Sequence, residues 1–309
     1  MNHLKKYILG RFSVCSSWLN EMNRVMYFVL SAVVSFSVVA SEFEAIKKKA
    51  EQGSAYAQTR LAYMYYNGKG VVQDYHEAFK WSEKAAKQGY AKGQFEVASL
   101  YYYGKGVDQD YKEAFKWTEA AAKQGHLKAQ FNLGLLYSDG KGVHQDYKEG
   151  IKWFEKAAKK GLVTAENTLG LRYVKGEGVA QDYEKGVEWF KKAAEKGYDE
   201  AQRNLAVAYY TGNGVPQDYK ESAKWTEKAA RQKQVQAQIN LASMYGAGEG
   251  VNKDPILEYM WYSLAKHNGH QSAQEKIEST SKKMDTDSIS KAQEMVERCL
   301  VSNYSQCGY

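Results

Sequence analysis

Between residues 55 and 270 the chain repeats one arrangement of apolar and polar positions every 36 residues. In the first copy Ala57, Leu61, Met64 and Tyr65 fall at i, i+4, i+7 and i+8, the apolar stripe of a helix. Asn67-Gly68-Lys69-Gly70 breaks that helix, with Gly68 placed to take the left-handed conformation that closes one. Asp74 then reads as the N-cap of a second helix, with Glu77 three residues on as in a capping box. The second helix carries Ala78, Trp81 and Ala85 at i, i+3 and i+7 and stops at Gly89. The pattern therefore predicts helix, turn, helix in each copy.

The register is strict. Trp81, Trp117, Trp153, Trp189, Trp225 and Trp261 are 36 apart, as are the glycines from Gly68 to Gly248 and the aspartates from Asp74 to Asp254. Gly89 is echoed by Gly125, Gly161, Gly197 and Gly269, but Lys233 interrupts that series, and a lysine at positive φ costs about 1 kcal/mol or more. Ala62, Ala98, Gly134, Gly170, Ala206 and Ala242 keep one position small. Such a position lets two helix backbones approach while the tryptophans fill the space beside it. Self-similarity at this period signals a solenoid whose copies bury themselves only by stacking. Phe43 and Gly53 mark a half-repeat cap over 41–54, six repeats follow over 55–270, and Ala273 and Ile277 open capping helices over 271–309.

Ala129, Leu133, Gly134, Tyr137, Gly140, Gly142, Val143, Asp146, Trp153, Ala157, Ala158 and Gly161 trace a known motif in the third copy, with Gly150 replacing its first second-helix alanine. The chain thereby resembles the Sel-1-like repeat family, a relative of the tetratricopeptide repeats. In the sixth copy Pro255 stands after Asp254, a departure that the first helical position tolerates. The resemblance implies an all-α fold, a right-handed α/α superhelical solenoid that serves as a scaffold for other proteins. It does not select the partner. The pair Cys299 and Cys307 is similar to pairs that staple helix ends in the cysteine-rich branch of that family. On one continuous helix residues eight apart lie about 12 Å from each other, beyond the ~7 Å a disulfide spans. A bond therefore requires the chain to turn back after Cys299, which Ser302-Asn303-Tyr304-Ser305 can supply.

Residues 25–40 form a sixteen-residue stretch without charge, short for a membrane span of about 20 residues but suited to a signal-peptide core. Val38 and Ala40 place small residues before a cleavage site at Ser41, and Met22 begins a compact signal sequence. The expectation is a leader over 1–40 starting at Met22, cleavage after Ala40, and a periplasmic or secreted product. Cys15 leaves with the leader. Of the net charge of +7, +3 lies in residues 1–40, and the remainder is too small to argue for nucleic acid.

Chemistry is sparse. The Gly-Lys-Gly turns have no Ser or Thr after the lysine, so they read as helix breakers. Ser-x-x-Lys, the pattern of penicillin-binding enzymes, occurs at Ser138, Ser263, Ser279 and Ser288, four matches where random placement gives about 2.4, which is weak evidence for that nucleophile. Asp285 and Asp287 suggest a calcium loop, but its glycine and final glutamate are missing, and Asp285 is better read as a cap. The six histidines have no ligand partners at metal spacing. No cofactor, no metal and no catalysis are expected. A weak penicillin-interacting or cell-wall enzyme, and a polysaccharide or envelope scaffold, are the alternatives.

A partner surface is expected on the first helices, at the positions of Thr59, Tyr63 and Tyr66, which vary from copy to copy: Phe95, Ser99 and Tyr102; Phe131, Leu135 and Ser138; then Leu171, Arg203 and Tyr210. Aromatic and arginine side chains anchor interfaces. The same residues can instead pack against neighbouring first helices. A protein or peptide partner bound by a monomer, on the concave face, is the reading; Lys80, Lys84, Lys87 and their echoes form the wet outer face of the second helices.

Overall fold

The computed structural model describes residues 41–308. The expected leader, its start at Met22 and Cys15 lie outside them. The chain is helical from residue 41 through 51 (α1). Helical hairpins follow: α2 (Ala55–Asn67) with α3 (Tyr75–Lys87), α4 (Ala91–Tyr103) with α5 (Tyr111–Lys123), α6 (Leu127–Asp139) with α7 (Tyr147–Lys159), α8 (Val163–Lys175) with α9 (Tyr183–Glu195), α10 (Asp199–Thr211) with α11 (Tyr219–Arg231), and α12 (Val235–Ala247) with α13 (Pro255–His267). Two more helices, α14 (Ala273–Ser281) and α15 (Thr286–Val301), close the C-terminal end. No strand occurs among the described residues.

Within each unit consecutive helices pack on one another, α2 through α5 in the first and α7 through α14 in the second, as stacked hairpins must, and α15 packs on α13. This is an all-α solenoid. It divides into two compact units, one ending at Ala129 and one beginning at Gln130. In the first, Leu61, Met64 and Trp81 bury themselves with Phe43 and Ala50 of α1. In the second, Leu205 with Phe190 and Trp225, and Leu241 with Trp261, repeat the arrangement. The indoles are core residues to different degrees. Trp81, Trp153, Trp225 and Trp261 are buried, whereas Trp117 and Trp189 keep an edge partly open. Over four of the rings lies the ammonium of the lysine three residues on: Lys84, Lys156, Lys192 and Lys228, at 3.6–4.0 Å from the ring centroids. These lysines face water, and their stems and charges also roof the tryptophans.

The turn within each hairpin is closed by groups the sequence names and one it hides. Gly68, Gly104, Gly176, Gly212 and Gly248 take positive φ at the end of the first helix, as expected. The Asp74 carboxylate accepts from the amides of His76 and Glu77. Glu77, however, does not complete a capping box: its carboxylate accepts from Trp81 Nε1 at 3.0 Å and Lys80 Nζ at 2.8 Å. The reason is that the Asp74 amide already donates to the Tyr65 carbonyl, a bond repeated from Asp110 to Tyr101 and from Asp218 to Tyr209. The unforeseen member is Gln73, whose amide donates to the Tyr66 carbonyl at 2.7 Å; Gln109, Gln145, Gln181 and Gln217 do the same in their repeats.

Two glycine series prove different. A Cβ on Gly106 would lie 2.0 Å from the Tyr75 carbonyl oxygen, so that turn touches the preceding second helix where only glycine fits. A Cβ on Gly89 would meet nothing within 4 Å. That position needs only positive φ, which is why Lys233 can stand there at φ 67.

At the base of each of several hairpins a buried first-helix glutamine pairs with the amide that follows the second helix. Gln58 donates to the Ala50 carbonyl at 3.1 Å, and Gln88 donates to Gln58 at 2.7 Å. Gln124 with Gln94, and Gln232 with Gln202, make the same contact. In the fourth repeat the rung is ionic: Lys196 Nζ lies 2.5 Å from Glu166, a carboxylate only 4 % exposed.

At the C-terminal end Asp285 caps α15, its carboxylate accepting from the Ser288 amide at 2.7 Å, which holds its carboxyl below the ordinary range. After Val301 the chain turns back through Asn303 and Tyr304, both at positive φ, and brings Cys307 to a Cα separation of 4.5 Å from Cys299. Arg231 donates to the Cys307 carbonyl at 2.7 Å, and Asn268 to the buried Tyr304 hydroxyl at 2.7 Å.

Candidate functional site

The first-helix positions separate into three kinds. Thr59 and Ser138 are buried, their hydroxyls donating to the Tyr56 and Gly134 carbonyls, so neither can meet a partner. A first helix is covered by its own second helix and by its stacked neighbours, so its buried arc is wider than a single stripe. Burial also removes Ser138 as an accessible nucleophile. Phe95, Ser99, Tyr102, Phe131, Leu135, Leu171 and Arg203 are half-buried. Of these, Phe95 stacks on His126 with centroids 4.7 Å apart, burial pushing that imidazole's pKa down, and Phe131 lies 5.5 Å from Phe154. Tyr63 and Tyr210 are exposed, and Tyr66 is half-buried.

Two grooves open among these positions, one in each compact unit. The first, about 340 Å³, lies among α2, α3 and α4 and is lined by Ala62, Tyr63, Tyr66, Asn67, Ala78, Ser82, Glu96, Ser99, Leu100 and Tyr103. The second, about 280 Å³, occupies the same repeat positions among α10, α11 and α12: Ala206, Val207, Tyr210, Ser222, Thr226, Asn240, Ser243 and Met244, joined by Arg203 and Glu249.

One pair of positions distinguishes them from the third and fourth repeats. Ala62 faces Ser82 and Ala206 faces Thr226, so small polar side chains sit at the groove floor. In the third and fourth repeats the corresponding residues are Phe154 and Phe190. Their rings reach so close to Gly134 and Gly170 that a Cβ there would be 2.5 Å from the ring. Glycine plus phenylalanine fills the space that alanine plus a hydroxyl residue leaves. The signal was present in the sequence as two covarying positions 20 residues apart within a repeat.

Electrostatics distinguish the grooves. In the first, burial pushes the Glu96 carboxyl up to about 7, against the weaker pull of Lys92 and Ser82. The nearest Lys92 Nζ is 3.9 Å away and the Ser82 hydroxyl 3.4 Å. On the rim, Lys105 donates to the Tyr66 hydroxyl at 2.7 Å. In the second groove Asn240 replaces the acid, and the Tyr210 hydroxyl donates to Glu249 at 3.0 Å. No cluster of three or more metal-ligating side chains occurs among the described residues, and no described helix is long and apolar enough to cross a membrane.

The family model described as Sel1 repeat matches residues 55–90, 91–126, 127–162, 163–198, 199–233 and 235–270. Among solved structures, the chain is similar to c5321, a protective antigen present in uropathogenic Escherichia coli strains that displays an SLR fold. The identity is 34 % and the TM-score 0.76, over 84 % of this chain and 56 % of that one. A Sel1 repeat protein from Oxalobacter formigenes is 32 % identical with a TM-score of 0.71, over 79 % of this chain and 73 % of that one. The chain thus spans little more than half the length of the E. coli antigen. No curated protein matches it. Six matched repeats, the stacked hairpins and these structural relatives together make the chain a member of the Sel1 repeat family.

Proposed function

We propose that the chain is an exported, non-catalytic scaffold that holds a protein or peptide partner on its first-helix face, at the two grooves. The observation that carries this reading is their common origin. Both open where a small hydroxyl residue stands at the groove floor, and exposed tyrosines line both. Apolar walls with a few polar groups are the composition of a binding cleft. Of the residues expected from sequence, Tyr63, Tyr66 and Ser99 line the first groove, and Arg203 and Tyr210 the second. Photo-crosslinkers at positions 63 and 210 should trap a partner in the native envelope or medium, and one at position 84, on the outer face, should not. Equal trapping from all three positions would refute the assignment.

Export rests on the apolar stretch before Ser41 and on the cysteine pair, which an oxidising compartment keeps bonded. The mature protein should begin at Ser41 and carry no free thiol. Two titratable thiols in the purified native protein would count against both.

A further inference from the structure

Glu96 is an acid where this fold does not require one. The equivalent residues in the other repeats are Arg60, Asn132, Thr168, Asn204 and Asn240. The side chain is 21 % exposed, and its contacts with the Lys92 ammonium at 3.9 Å and the Ser82 hydroxyl at 3.4 Å are both long. A largely desolvated carboxylate with such thin compensation is electrostatically under-served. Around it stand Tyr63 and Tyr103, 56 % and 66 % exposed, and the apolar wall of Ala62 and Leu100. Tyrosine faces attract cations, and the adjoining Tyr66 ring already does so, with the Lys105 ammonium 4.8 Å from its centroid.

We infer that the groove of the first unit is a socket for a lysine or arginine side chain of the partner, its methylene stem on Leu100 and Ala62, its charge between the tyrosine faces and the Glu96 carboxylate. This names the partner's chemistry and rests on the binding role proposed above. The second groove has Asn240 at the position of Glu96, and its own carboxylate, Glu249, already accepts from the Tyr210 hydroxyl and shares the groove with Arg203, so it serves as the internal control.

The test uses the full chain and two blocked tripeptides, acetyl-Gly-Lys-Gly-amide and its norleucine counterpart, titrated at pH 8 and followed by backbone amide chemical shifts. The lysine peptide should give saturable shifts around residues 63, 82, 96 and 103, with the norleucine peptide and the Glu96→Gln protein each at least tenfold weaker. Helicity by circular dichroism confirms that the variant is folded. Equal affinity for the two peptides on the unaltered protein, undiminished binding by Glu96→Gln, or shifts confined to the second groove would each overturn the inference. None of these touches the crosslinking result; trapping that fails at both grooves removes the binding role itself.

Discussion

A single carboxyl, that of Glu96, shows how the fold sets the chemistry of one residue. Its pKa is raised by burial from the model-peptide range to about 7. The folded chain therefore holds this proton more tightly than the unfolded one. The stability it contributes is complete below about pH 4.5 and is lost as the pH rises through 7. Glu96→Gln removes the titration. The variant should unfold at the same denaturant concentration as the parent at pH 4.5 and be more stable by about 1–3 kcal/mol at pH 8. A variant no more stable at pH 8 would show that the carboxylate is better compensated than its contacts indicate. Glu166 presents the opposite case, a buried acid with a close cation. Lys196→Ala strands that charge and should cost about 3–5 kcal/mol, measured by denaturant unfolding. Joint Glu166→Gln and Lys196→Gln changes install the rung seen at Gln94 and Gln124 and should recover most of the loss.

At the scale of elements, the hairpins were legible because their signals are local. Apolar period, a glycine at the first helix's end and an aspartate before the second are properties of short segments, and Pro255 at the first position of α13 obeys them. Glu77 departs from the capping-box pattern for a reason at the same scale. A capping box needs a free N-cap amide, and whether the Asp74 amide is free depends on the Tyr65 carbonyl, which reaches it only when the hairpin closes. The two glycine series divide on the same ground. Gly89→Ala should cost about 1 kcal/mol, the price of positive φ alone. Gly106→Ala adds a collision with the Tyr75 carbonyl and should cost about twice that or more, read as a larger drop in melting temperature. Similar losses in the two variants would mean that the Gly106 turn can retreat from the preceding helix.

For the whole molecule, six copies of one hairpin do not give six copies of one surface. The floor positions separate the grooved first and fifth repeats from the filled third and fourth, so a graft should exchange them. Ala62→Gly with Ser82→Phe installs the third-repeat pattern in the first groove. The helices should be retained by circular dichroism, crosslinking from position 63 should disappear, and crosslinking from position 210 should persist. Continued trapping from position 63 would show that the groove volume does not govern binding. Ala62→Gly alone should weaken the stack, since glycine in a helix costs roughly 1 kcal/mol.

The repeat length, the hairpins and the stacked all-α architecture are readable from residue order, because each depends on contacts between near neighbours or on a period repeated six times. Thr59 and Ser138 looked like surface and are buried, and the polar rungs from Gln58 onward went unseen. Those outcomes depend on side chains brought together from different helices. Whether a hydroxyl finds water or a carbonyl, and whether a ring fills a groove or leaves it open, is a matter of volume and desolvation. These become defined only once the helices are in contact.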